Sequence, residues 1–83
     1  MVGRTRNRAL RVEIGRIDDN GTQSCILSEG ATVEDLLEQS GYDIDEDKEK
    51  LVAHSTGREV FFDDELVDGE TYMIAPEIES AQL

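Results

Sequence analysis

Cys25 and His54 are the only cysteine and the only histidine in this 83-residue sequence, and both side chains are suited to nucleophilic and to metal chemistry. Paired, they would make a thiolate and the imidazole that deprotonates it. A thiolate needs positive surroundings, and here 20 Asp and Glu face 8 Lys and Arg, a formal net charge of −12. The balance argues against a dyad, and Cys25 reads as a small core residue. One Cys and one His also fall short of the four ligands a structural zinc site needs. The run Asp43-Ile44-Asp45-Glu46-Asp47 has the acidity of a calcium loop but not its register. The sixth position, which must turn sharply on glycine, is Lys48, and the twelfth, which needs a bidentate glutamate, is His54. Gly15, Gly21, Gly30, Gly41, Gly57 and Gly69 are scattered and form no phosphate cradle. Carboxylate pairs abound only because acids abound. No catalytic residue, metal or cofactor is expected, and the chain reads as non-enzymatic. What remains is surface chemistry.

That surface is acidic, and unevenly so. Arg4, Arg6, Arg8, Arg11 and Arg16 crowd the first residues against Glu13 alone, while Lys48, Lys50 and Arg58 are the only cations after them. Residues 1–8 are expected to be a flexible basic arm. Three readings stay open for it: a tail weakly attracted to its own domain, an anion or nucleic-acid contact, which the lack of interleaved aromatics disfavours, or start-site residues. The acidic remainder repels nucleic acid and anionic membranes and favours a protein partner with a basic surface. A single cysteine excludes an internal disulfide framework, and no apolar run approaches a membrane span, so a cytoplasmic protein is expected.

The elements that must hold such a surface follow from periodicity. Leu10, Val12 and Ile14 alternate with Arg11, Glu13 and Gly15, which describes a strand with one apolar face. Asp19-Asn20-Gly21 then signals a tight hairpin turn into a second strand over 22–28, with Cys25 and Leu27 on one face and Ile26 on the other. Thr32 is a helix N-cap, its hydroxyl placed to accept from the amide of Asp35, and Glu34 and Asp35 suit the first turn. Val33, Leu36 and Leu37 form one stripe, and Gly41 fits the left-handed position that ends a helix over about 33–40. Tyr42 follows as the apolar contact back onto Leu37. Ile44 is the anchor of a charged connection over 43–50. Leu51–His54 and Glu59–Phe62 are strand candidates around a Ser55–Arg58 turn. Leu66 and Val67 are anchors, Asp68-Gly69 turns the chain, and Thr71–Ala75 forms a last strand that Pro76 stops.

A hairpin, one short helix and further strands in 83 residues make a single α+β domain. A four- to five-stranded mixed sheet packed on the helix satisfies every segment, with the domain over 9–76 and a flexible C-terminal tail over 77–83. This order is the β-grasp arrangement, and the residues resemble the ubiquitin-like β-grasp group. Within that group, Leu66-Val67-Asp68-Gly69-Glu70-Thr71-Tyr72-Met73-Ile74-Ala75-Pro76 resembles the closing L-x-D-G-D-x-V-x-I-x-P pattern of the MoaD/ThiS sulfur carriers. Gly30–Leu37 is similar to that family's helix start, and Val52–Arg58 stands where the family carries its Asn-Gly loop. The resemblance implies a carrier whose C-terminal Gly-Gly is activated by an E1-like adenylating enzyme. Glycine serves there because an extended tail must thread a narrow channel. Here no glycine follows Gly69, and the matching positions after Pro76 are Glu77-Ile78-Glu79-Ser80-Ala81, with Leu83 last. Cleavage after Ala81 would leave a Ser80-Ala81 end.

The sequence therefore favours a non-enzymatic interaction or adaptor module. Ile26 and Met73 fall on the outer faces of their strands, and one of Phe61 and Phe62 must point outward if their strand is regular. These four are the expected interaction surface. The alternatives are a sulfur carrier or protein modifier processed at its C-terminus, and an acidic mimic of nucleic acid.

Overall fold

The structure, a computed structural model, describes residues 9–18 and 21–77. The arm over 1–8, Asp19 and Asn20 of the hairpin turn, and the tail positions Ser80, Ala81 and Leu83 lie outside the described residues.

Alternation builds the first two strands. β1 (Ala9–Arg16) buries Leu10, Val12 and Ile14, and β2 (Gln23–Ser28) buries Cys25 and Leu27 and turns Ile26 outward. They pair antiparallel with Leu10 opposite Leu27 and Val12 opposite Cys25, so each inward residue meets another inward residue across the ladder. The tight Asn-Gly turn expected from the sequence is corrected here. The ladder stops at Ile14 opposite Gln23, which leaves residues 15–22 between its ends, more than a two-residue turn holds. The Gly21 carbonyl lies 2.7 Å from where a Cβ on residue 15 would stand.

α1 (Val33–Ser40) matches the expected bounds, and its start and stop are local chemistry. A capping box joins Thr32 and Asp35: the Asp35 carboxylate accepts from the Thr32 amide at 2.9 Å and from its hydroxyl at 3.2 Å. Gly41 takes the left-handed conformation (φ 82°) and its amide donates to the Leu37 carbonyl at 3.0 Å. Val33, Leu36 and Leu37 bury the apolar stripe. Each fully buried aliphatic side chain contributes about 1.5–3 kcal/mol, which a helix this short needs, because it is marginal without tertiary packing.

β3 (Glu49–Ala53), β4 (Glu59–Val60) and β5 (Thr71–Pro76) complete a five-stranded mixed sheet in the order β2-β1-β5-β3-β4. β1 and β5 run parallel at its centre and the other pairs are antiparallel. Tyr72 and Ile74 of β5 close the core from below α1, with Leu51, Ala53 and Leu66 alongside. Asp68 and Gly69 explain their place in the closing pattern. The Arg11 amide donates to Asp68 Oδ1 and its carbonyl accepts from the Gly69 amide, both at 2.8 Å, which occupies the edge of β1 that β5 does not reach.

Three further boundaries move. β3 starts at Glu49 rather than Leu51, because Glu49 pairs with Pro76 and holds Arg16, and His54 belongs to the following turn. β4 ends at Val60, before the phenylalanines, because the chain turns to serve the N-terminus of α1. The Glu34 amide donates to the Phe62 carbonyl at 3.0 Å and the Val33 amide to the Asp64 carbonyl at 2.9 Å. A helix start leaves such amides without partners of its own. Val67, read as an anchor beside Leu66, is 60% exposed.

Candidate interaction surface

Arg16, at the end of β1, organises one side of the surface. Its Nη1 lies 2.6 Å from Glu49 Oε2, its Nη2 donates to the Asp43 carbonyl at 2.8 Å, and its guanidinium sits 6.0 Å from the centre of the Tyr42 ring. Glu49 in turn accepts from the Asp45 amide at 3.1 Å. That backbone bond first, and Arg16 second, hold the Glu49 carboxyl below its ordinary pKa. Asp43 and Asp45 are thus both tied, which positions Ile44 between them against the core.

The other side is the turn after β4. The Phe61 amide donates to Asp64 Oδ2 at 2.8 Å and the Asp64 amide to the Phe61 carbonyl at 3.0 Å. This closed turn, pinned to the first turn of α1, leaves both rings in water: Phe61 is 56% exposed and Phe62 is 39% exposed. A depression of about 290 Å³ has Ile44, Val60, Phe61 and Phe62 in its lining. A second, of about 480 Å³, shares Ile44, Glu46 and Phe62 with it and is lined also by Leu37 and Tyr42 on the helix side.

The four residues expected from the sequence stand at three places. Phe61 and Phe62 share one depression, and both are exposed because the strand ends before them. Ile26 lines another depression, with Leu27, Ala31, Asp35 and Gln39, where the Gln39 amide donates to the Ile26 carbonyl at 3.0 Å. Met73 lines neither. It is half-buried on the outer face of β5, between Gly15 and Val52 in the ladders. Ile26 pairs with Arg11 and Met73 with Gly15, so they are separated by about 13 Å along the strands and by two strand spacings. Pro76 ends β5, exposed, and the Glu77 amide donates to the Lys48 carbonyl at 2.7 Å. Tyr42, Ile44 and Val60 are the residues that sequence reasoning left out of the surface. Ile44 gave a signal, as the lone apolar residue inside an acidic run.

Cys25 and His54 do not face each other chemically. Cys25 is buried in β2, where burial pushes its thiol pKa up, and His54 is exposed in the turn after β3. Among the described residues no group of three or more Cys, His, Asp or Glu is arranged to hold a metal ion.

The architecture is that of a ubiquitin-like β-grasp domain. The solution structure of the N-terminal ubiquitin-like domain in the 4931431F19Rik protein matches it with a TM-score of 0.58, over 100% of this chain and 91% of that one, at 22% identity. At that identity the likeness establishes the fold. No protein-family model and no curated protein matches the sequence. No helix among the described residues is long and apolar enough to cross a membrane.

Proposed function

We propose that this chain is a non-enzymatic interaction or adaptor module that docks a protein partner with a basic surface in the cytoplasm. The observation that carries this reading is the placement of large apolar side chains in water on a body of net charge −12, with Phe61 and Ile26 each 56% exposed. Ile26, Phe61, Phe62 and Met73 are the surface proposed for that partner. The charge disfavours nucleic acid and anionic membranes and speeds encounter with a basic protein, more so at low salt. Capture of partners on immobilised full-length chain tests the reading. Phe61→Glu is expected to leave the fold intact and to lose the captured protein, and Met73→Glu, on the outer face of β5, tests whether the partner also covers that face. Capture unchanged by both substitutions removes this surface from consideration.

A second reading, a MoaD/ThiS-like sulfur carrier or modifier activated by an E1-like adenylating enzyme, is favoured by the closing pattern over Leu66–Pro76. It requires processing of the C-terminus, for which Ser80-Ala81 is the candidate end. Intact mass after incubation with ATP and cell extract separates the two readings. Loss of tail residues, or the mass gain of an oxygen-to-sulfur exchange, supports the carrier, and an unchanged mass supports the adaptor. The acidic-mimic reading is the weakest of the three, since acids here ring an apolar depression.

A further inference from the structure

The two depressions share Ile44, Glu46 and Phe62 in their linings and together make a groove whose chemistry is divided. The floor and walls are apolar: Tyr42, Ile44, Val60, Phe61 and Phe62. The rim is acidic: Glu34, Glu38, Asp43, Glu46, Glu59 and Glu77. Arg16–Glu49 is the one ion pair among the described residues, so none of these six carboxylates is neutralised by a salt bridge there. Lys50 is the single cation in the lining. Six carboxylates with no ion pair among the described residues stand around an apolar floor and repel one another, and a basic occupant relieves that repulsion as it covers the rings. A second copy of this chain brings the same acids against the rim, which disfavours self-association through the groove.

We infer that this groove binds a basic amphipathic segment of a protein partner, with one or two aliphatic or aromatic anchors seated against Phe61, Phe62 and Ile44 and flanking Lys or Arg side chains on the carboxylate rim. The inference rests on the adaptor reading and sharpens it, because it selects the Phe61–Phe62 region over the Ile26 and Met73 regions. The groove is held open by structure rather than by chance rotamers. Arg16 and Glu49 fix the 43–45 backbone, and the α1 amides fix the 62–64 turn. Recognition of this kind needs a preformed apolar seat and complementary charge at its edge.

The test uses the isotope-labelled full chain and two synthetic probes. One is a Lys/Leu peptide with leucines at helical spacing, and the other is a Lys/Ser peptide of equal charge. Amide shifts on titrating the Lys/Leu peptide are expected over Tyr42–Glu46 and Glu59–Phe62. The double substitution F61S/F62S should weaken binding by about tenfold or more, and Glu46→Lys with Glu59→Lys should weaken it while leaving every apolar residue in place. Equal affinity for the Lys/Ser peptide would overturn the inference, since charge alone would then account for binding. So would absence of shifts with the Lys/Leu peptide, or self-association of the wild-type chain that F61S/F62S removes. Shifts centred on Val52 and Met73, or on Ile26 and Gln39, would overturn the groove and leave the adaptor reading standing.

Discussion

Tyr72→Phe deletes one oxygen and keeps the ring, so it isolates a single hydrogen bond in the core. Tyr72 is 2% exposed, and its hydroxyl accepts from the Val67 amide at 3.0 Å. The ring of phenylalanine fills the same space, so no cavity forms, and the cost is that of leaving the Val67 amide without its acceptor. A net hydrogen bond contributes about 0.5–1.5 kcal/mol and an unsatisfied buried donor costs about 1–3 kcal/mol. The amide is only part-buried, so partial rescue by water brings the expected loss to about 1–2 kcal/mol. A domain of this length has about 4–12 kcal/mol in total, and each kcal/mol lowers Tm by about 4–8 °C. Urea and thermal unfolding of the full chain followed by circular dichroism measure this, with an unchanged urea dependence expected. Tyr42→Phe is the control: no hydroxyl partner of Tyr42 is found among the described residues, and the ring keeps its place beside Arg16. If Tyr72→Phe unfolds within about 0.5 kcal/mol of wild type, or no differently from Tyr42→Phe, the reasoning is refuted.

Gly15→Ala sets a new Cβ 2.7 Å from the Gly21 carbonyl, and since backbone must shift the loss is expected at about 1–3 kcal/mol in the same melts. Glu49 and Glu70 both sit below their ordinary glutamate value of 4.5. For Glu49 the Asp45 amide leads and Arg16 follows; for Glu70 burial raises the pKa but is outweighed by bonds from Ser55 and the Thr71 amide. A depressed carboxylate stabilises the fold fully above the unfolded value, and that stabilisation is lost as pH falls through the folded value. Arg16→Met should therefore destabilise at neutral pH by an amount that shrinks as pH drops below about 4, which a series of melts across pH reads directly. The Cys25 thiol, buried with a raised pKa, should resist a thiol reagent until denaturant opens the core, and immediate labelling would contradict its placement.

Much of the domain was readable from the chain because its elements carry their own instructions. The helix has a capping threonine, a terminal glycine and a stripe at helical spacing, all within ten residues. β1, β2 and β5 alternate cleanly, and the buried core of the domain is nearly the one the sequence pattern implies, with Ala53 of β3 added and Tyr42 after α1 left half-buried. The failures lie where a backbone group was claimed by a distant partner. Phe61 and Phe62 carry strand-forming side chains, yet the Phe62 carbonyl is needed by Glu34 of α1. Glu49 looks like part of a solvated acidic run, yet Arg16 draws it into β3.

Local spacing thus determined the kinds of elements, the residues they bury and the acidity of what they leave outside, because a helix or strand reveals its inner face within a few positions. The groove was decided in three dimensions. Tyr42, Ile44, Val60, Phe61 and Phe62 lie on separate segments whose approach depends on hydrogen bonds between the first turn of α1 and the turn after β4. Amides without partners at a helix start donate to whatever carbonyl the fold delivers, and no periodicity in the chain specifies which one that is.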